Sequence, residues 1–572
     1  MGEKLTSKPL IVMPPILLAV LAVFLSLAWV IPNHPRPWAA FYMDAVAGTV
    51  LLVVTFWVLL RSPGKLQLIG IEIFFLVLAA VPWLQFSMGL VYSSGTAWIN
   101  SFYLIGFSLA IFAGWHWERS TPGQCLDFLF LAIFLAAILS VGVQLMQWLQ
   151  LTSDPLVLAV GRSRFSANIG QPNLLASLLL MATLGVAWAY AGKTLGPVVA
   201  IILVLCLLFG VALTESRTAW LNIAGILVAL SIFWGKSRPK SFVWVLLGFG
   251  IYFIALYFSL PTINELLFGG RVSSIRTLGE PIRMELWSSL LQAALERPWL
   301  GYGWGQTTEA VFASRGLDTG SMFRHAHNIV LELVLYNGIV LGGLVLLALG
   351  RTFGHFFGYL RHEYFIIPFL AIALLVVHAM LEWPLHNAFF LLPFGMILGV
   401  LAWRSSVNEW CACPKWIGLG FAIAIACGLW ITIADSLEAE RTYYNYYFGK
   451  KGKVIPPDAL PKVMLLTQWD DRLRFANSIP GLPFPQEKYR WMKGVVVTTP
   501  EPPFLLLVLA QSLALNGRPD EAREWLENMC RTTPKDYADG LAEQWEEAAQ
   551  TNNVYRSVDW KACRTGNPSG SK

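Results

Sequence analysis

The stretch VVAIILVLCLLFGVALTESRTAWLNIAGILVAL, Val198–Leu230, decides the fold class. Two apolar runs, each close to the ~20 residues a helix needs to cross bilayer hydrocarbon, are separated only by the polar turn Thr214-Glu215-Ser216-Arg217. A chain that turns so tightly between two such runs crosses a membrane and comes back. The pattern recurs on both sides of this segment. Hydropathy and flanking turn residues predict about thirteen spans, centred on residues 10–31, 38–60, 66–88, 97–116, 124–149, 172–190, 196–213, 217–234, 241–260, 327–350, 364–382, 386–403 and 415–434. The first is longer than the apolar region of a signal peptide and lacks a small-residue cleavage pattern, so it reads as a retained anchor.

Composition points the same way. Of 572 residues, 56% are hydrophobic and only 13% charged, against roughly 25% charged in soluble domains; an ordinary soluble enzyme is excluded. The net charge of +6 sits mostly in short loops. It speaks for membrane orientation and anionic partners, and without a basic tract it excludes nucleic acid as a partner. Lys4 and Lys8, Arg61 with Lys65, Lys236 with Arg238 and Lys240, Arg351 with Arg361, and Arg404 with Lys415 fall on one side, the cytoplasm by the positive-inside rule. The other face, the periplasm if the membrane is a bacterial inner membrane, receives residues 150–171, a large loop over 261–325 and everything after 435. The expected fold is therefore all-α: a polytopic membrane helical bundle over 1–434, with external loop 261–325, and a soluble C-terminal helical domain over 435–572.

That tail begins where apolar runs give way to mixed charged sequence containing Pro456, Pro457, Pro461 and Pro485. Within it, LAQSLALNGRPDEAREWLENMC gives two amphipathic helices about Gly517 and Pro519, which resembles one tetratricopeptide-type (TPR-like) hairpin; an isolated hairpin is the plainer alternative, since a solenoid needs three or more repeats. The seven cysteines form no zinc pattern. Cys530 and Cys563 are the tail's own two, and an oxidising compartment allows them to pair.

Polar residues beside spans are costly and so mark function more often than in soluble chains. In GRSRFSANIGQPNLLAS, Gly161–Ser177, Arg162 and Arg164 precede a turn in which Pro172 suits a first helical turn. Gln171 and Asn173 then either cap that helix or present amides to a ligand at its N-terminus. In LTESRTAWL, Arg217 either pairs with Glu215 or binds an anion. The loop sequence RVSSIRTLGEPIRMELWSSLLQAALERPWLGYGWGQ carries Arg271, Arg276 and Arg283, a helix over 281–297 with Arg283, Leu286, Trp287 and Leu290 on one side, and a glycine-aromatic turn. Arginines so placed can grip a diphosphate by bidentate contacts; a solvated loop face is the alternative. In FRHAHNIVLELVLYNGIVLG, no cysteine or carboxylate set completes a metal shell around His325 and His327, so no metal is expected. If the helix begins at His325, that residue aligns with Asn328 and Glu332 while His327 points elsewhere. A last external turn, in LEWPLHNAFFLLPFG, holds Glu382 and His386.

GQPNLLA followed by HAHN and EWPLHNAFFLLP resembles the O-antigen ligase and polymerase superfamily, and within it the PglL-type bacterial protein O-oligosaccharyltransferases. The likeness runs over about residues 10–435 and weakly through the tail. It implies en bloc transfer of an oligosaccharide from undecaprenyl diphosphate to Ser or Thr hydroxyls of exported proteins such as pilins, at the external face of the inner membrane and without a cofactor. It also implies catalytic roles for Arg217, Arg283 and His327, the last against the helical-face reading, which favours His325. Gln171, Asn173, Arg162, Arg164, Arg271, Arg276, His325, Asn328, Glu382 and His386 are expected to bind substrate. A ligase acting on lipid A core shares the donor and the His/Arg logic, as does a polymerase; a flippase would instead carry its charges in mid-span.

Overall fold

The computed structural model describes residues 12–62, 64–151, 154–159, 164–234, 239, 241–269, 282–314, 320–446, 460–478, 480–481, 485–499, 503–560 and 563. Among them, nine helices are long and apolar enough to cross a membrane: Phe41–Arg61, Gly70–Ser87, Ser94–Ser120, Gln124–Trp148, Pro172–Ala191, Arg217–Trp234, Ser241–Phe268, Ile329–Phe357 and Lys415–Tyr444. Four shorter apolar helices, Pro15–Val30, Pro197–Leu213, Glu363–Ala379 and Ala388–Arg404, occupy the other predicted positions. Among the described residues the regular structure is helical apart from one feature absent from the expectation. Lys65–Ile69 and Glu409–Pro414 pair as an antiparallel ribbon, Lys65 opposite Pro414. These are polar-flanked ends of apolar helices, and Lys415 Nζ closes the ribbon by donating to Leu60 O (2.8 Å) and Ser62 O (3.1 Å). The predicted span 66–88 therefore starts as a strand and then breaks at Ala79–Ala80 into Gly70–Leu78 and Val81–Ser87, where Pro82 disfavours an unbroken helix.

The chain divides into two compact units. The first comprises residues 1–78, 103–279 and 348–430. Its centre is the helix Pro172–Ala191, with Leu175, Leu178, Leu179 and Met181 fully buried; a helix apolar all round is one enclosed by other helices. Small residues let backbones touch elsewhere in this unit. A Cβ on Gly114 would come within 2.1 Å of Met396 O, and one on Gly399 within 2.1 Å of Ile111 O, the close small-residue crossing typical of membrane bundles.

The second unit comprises residues 79–102, 280–347 and 431–572, so the loop and the tail share it. The tail hairpin forms from Phe504–Leu515 and Pro519–Thr532 about Gly517, whose φ is +72°. Its core of Leu505, Leu509, Leu513, Leu526 and Met529 includes Phe312 from the loop. Arg531 donates to the carbonyls of Phe312 and Ser314. Cys530 and Cys563 are disulfide-bonded with Cα atoms 5.5 Å apart. Asp435, near the end of Lys415–Tyr444, accepts from the backbone N–H groups of Met464 (3.0 Å), Leu465 (2.6 Å) and Leu466 (3.0 Å), fixing the start of the tail.

Candidate active site

In the first unit the three polar patches singled out by sequence meet. The helix Pro172–Ala191 begins where Gln171, extended in backbone, accepts at Oε1 from Leu174 N (2.6 Å); the oxygen of this amide is therefore spent on capping. Asn173, the second residue of the helix, is buried and bridges two charges. Its Oδ1 accepts from Arg164 Nη2 (2.9 Å) and its Nδ2 donates to Glu382 Oε1 (2.8 Å), a residue 209 positions away and itself buried. Arg164 also donates from Nε to Thr214 O (3.3 Å). Segments 164–177, 213–221 and 382–387 are thereby tied through Arg164 and Asn173. Arg217 opens the helix Arg217–Ala229, capped by Ser216 Oγ accepting from Ala219 N (3.4 Å), and its side chain is exposed. His386 lies half-buried in the single turn Pro384–His386. Arg162, Arg271 and Arg276 lie outside the described residues.

The approach to Asn173 is held by groups to which the sequence reading gave no role. Asn168 donates from Nδ2 to Val30 O (2.8 Å) and Leu156 O (2.8 Å), and its carbonyl lies 2.7 Å from His34 Nε2. One turn below Asn173, Ser177 Oγ lies 2.7 Å from His378 Nδ1 in a fully buried pair. No local pattern marks these residues, because their partners come from distant helices.

In the second unit, the helix Ile282–Glu296 buries Leu286 and Leu290, the face predicted from spacing, with Arg283 half-buried beside them. Trp287 Nε1 donates to Ala326 O (2.9 Å), which fixes the HAHN segment over this helix. That segment is not helical: the helix starts at Ile329, and Asn328 Oδ1 caps it by accepting from Val330 N (3.0 Å) and Leu331 N (3.1 Å). Asn328 thus serves the backbone, and the premise that His325 already lies on the helix is corrected. The pairing inferred from that premise nevertheless exists, since His325 Nδ1 lies 3.1 Å from Glu332 Oε1. Glu332 is buried and also accepts from Tyr336 OH (2.7 Å) and Thr307 Oγ1 (3.0 Å). His327 is half-buried at φ +52°, its ring edge-on to Phe323 at 5.8 Å.

Three of the five polar patches share a backbone signature. Arg164, Glu215 and His327 all lie in the left-handed region, at φ +57°, +49° and +52°. Non-glycine residues held there cost of order 1–3 kcal/mol and cluster where function over-determines the backbone.

Against known proteins, residues 202–348 match the O-antigen ligase family, and residues 367–550 match the C-terminal family of the virulence factor membrane-bound polymerases. Over 550 residues the chain is 28% identical to the general O-oligosaccharyltransferase of Acinetobacter baylyi, covering 91% of this chain and 93% of that protein. These matches support a PglL-type O-oligosaccharyltransferase of the O-antigen ligase superfamily. The ComP-specific O-oligosaccharyltransferase of the same organism is 25% identical over 396 residues, 68% of this chain and 71% of that protein. The ligase-family match covers the TESR turn, Arg283 and the HAHN segment, and the polymerase-family match takes in Glu382, His386 and the tail hairpin. GQPN, bonded through Asn173 to Glu382, stands outside both.

Proposed function

We propose that this membrane-spanning transferase moves an oligosaccharide en bloc from undecaprenyl diphosphate to Ser or Thr hydroxyls of exported proteins, pilins among them. The observation that carries this reading is the near full-length likeness to a general O-oligosaccharyltransferase. In the arrangement we propose, thirteen helices cross a bacterial inner membrane, with loop 261–325 and tail 435–572 on the periplasmic side. The acceptor oxygen attacks the anomeric carbon as its proton passes to His327 as general base, and the bond from that carbon to the diphosphate oxygen breaks with inversion. The bonding pair leaves on the diphosphate, whose charge Arg283 and Arg217 hold by charge-assisted hydrogen bonds, each worth about 1.5–3 kcal/mol. Arg164, held by Asn173 and Thr214, supplies further positive charge to the donor. No metal enters this scheme, and transfer proceeds in a chelator.

A second reading, ligation of glycan to lipid A core, is favoured by the O-antigen ligase family match over residues 202–348. Both are tested by reconstituting the purified chain, in chelator, with a lipid-linked oligosaccharide and offering a pilin and lipid A core in parallel. Sugar on the pilin supports the proposal. Sugar on the core alone overturns it. In the same assay His327→Ala and Arg283→Ala lose transfer by at least ~100-fold at normal membrane abundance; full glycosylation by both variants overturns the residue assignment.

A further inference from the structure

The loop helix Ile282–Glu296 has a second face that its burial does not use. Leu286, Leu290, Ala293 and Ala294 are enclosed, yet Met284 is 66% exposed, Leu291 55% and Leu295 62%. Positions 284, 288, 291 and 295 recur at helical spacing and form one stripe, with the polar Glu285, Gln292 and Glu296 along its flank. The stripe continues into the turn beyond the helix, where Trp299 is 74% and Leu300 48% exposed. Five large apolar side chains turned outward in one line need a cover.

The turn is stitched into a membrane helix. Tyr302 N donates to Leu335 O (2.7 Å) and Ile339 N to Pro298 O (2.6 Å), on either side of a kink at Gly338, whose φ is +75°. The fit leaves no room: a Cβ on Gly338 would come within 2.5 Å of Trp299 C, and one on Gly301 within 2.3 Å of Leu335 O. Immediately past that kink, the span turns Ile339, Val340, Leu344 and Leu347 outward, as a helix facing lipid must. Trp299 and Leu300 are thus fastened where the lipid-facing surface of the span begins, and tryptophan is enriched at that depth. The exposed stripe thus leads to the exposed apolar face of that span.

We infer that Ile282–Glu296 and the turn after it lie in the membrane interface, with Met284, Leu291, Leu295, Trp299 and Leu300 dissolved in the headgroup and acyl boundary of the bilayer. The occupant of the stripe is bulk lipid. A helix with one face in protein, one in lipid and a polar flank in water is held at a fixed depth, and Arg283 is then held near the level of the lipid headgroups. This inference stands on the geometry alone and holds whichever acceptor the transferase uses.

The test places single cysteines in the full chain at Leu295 and Trp299, with Tyr537→Cys in the tail as the water-exposed reference and the wild-type chain setting the signal of native cysteines. Each is labelled with an environment-sensitive fluorophore in proteoliposomes and titrated with spin-labelled phospholipid. Labels at 295 and 299 are quenched about fivefold more than the label at 537, and an impermeant maleimide reaches these cysteines about fivefold more slowly. Leu291→Cys repeats the measurement should Leu295→Cys misfold. Labelling and quenching equal to position 537 overturn the inference. Protection from maleimide without quenching by lipid overturns it too, because a protein surface would then cover the stripe.

Discussion

Glu309 is the carboxylate on which the joint between loop and tail turns. It sits in the short helix Thr307–Ala313, and its Oε1 accepts from Lys493 Nζ (3.1 Å), from Arg297 Nη2 (3.3 Å) and from Tyr92 OH (3.1 Å). The glutamate side chain is 6% exposed, that of Lys493 26% and that of Arg297 42%. Glu309→Gln keeps the shape and the tyrosine bond but leaves Lys493 without its counter-charge. Breaking a buried pair from one side costs about 3–5 kcal/mol. Lys493 is partly wetted and Arg297 largely so, and an exposed pair contributes little, so the expected cost is about 2–3 kcal/mol, roughly a 30- to 150-fold rise in the open population of this joint. Limited proteolysis of the tail in the detergent-solubilised full chain reads that population when reclosing is faster than cleavage. The companion variant Glu309→Gln/Lys493→Met removes both charges and recovers to within about 1 kcal/mol of wild type, because no buried charge is left unpaired. Burial works against the Lys493 ammonium, but Glu309 and Tyr92 outweigh it, so the Lys493 pKa is raised. A raised basic group stabilises fully below its unfolded pKa of about 10.4 and loses that contribution only as pH climbs through the folded value. The joint therefore holds across neutral pH and loosens only in strong alkali. Wild-type cleavage rates in Glu309→Gln, or a double variant as labile as the single, would refute the reasoning.

Asn173 tests the polar bridge of the other unit. Asn173→Asp sets a carboxylate where an amide now donates 2.8 Å to Glu382, so glycosylation of the acceptor falls further in Asn173→Asp than in Asn173→Ala; the gap expected from one charge-assisted bond is about tenfold or more, read from the glycosylated fraction of a pilin at equal membrane abundance. The Cys530–Cys563 bond closes a loop with a sequence separation of 33. Replacing both cysteines by serine lowers the stability of the tail by up to about 3–4 kcal/mol on the loop-entropy estimate, and a reducing agent reproduces the rise in proteolysis in the wild-type chain but not in the variant.

The helices were legible because hydrocarbon thickness imposes a length and lipid imposes a composition, two constraints written locally along the chain. The ribbon was not, since Glu409–Pro414 carries no alternation with a buried face and exists only because Lys65–Ile69 lies beside it. The same distinction separates the site residues that were found from the bonds that hold them. Asn173 and Glu382 stood out as polar residues beside apolar runs, but a bond across 209 positions has no local signal. Tail and loop read as separate because composition changes at residue 435, whereas the core of the tail takes in Phe312.

The histidines show how far a periodicity argument reaches. Helical phasing selected His325 as the partner of Glu332 and rejected His327, and the 3.1 Å contact agrees although residues 325–328 precede the helix. What phasing missed is that residues 325–328 precede the helix, which leaves His327 at φ +52° with its ring edge-on to Phe323. Glu332 already engages His325, Thr307 and Tyr336, which commits His325 to a buried network. With His325 engaged by Glu332, the general-base role proposed above falls to His327. On this argument His325→Gln, which retains a donor toward Glu332, keeps measurable transfer, whereas His327→Gln, lacking a basic nitrogen, does not; equal activity of the two in the pilin assay would remove the ground for assigning the base to His327.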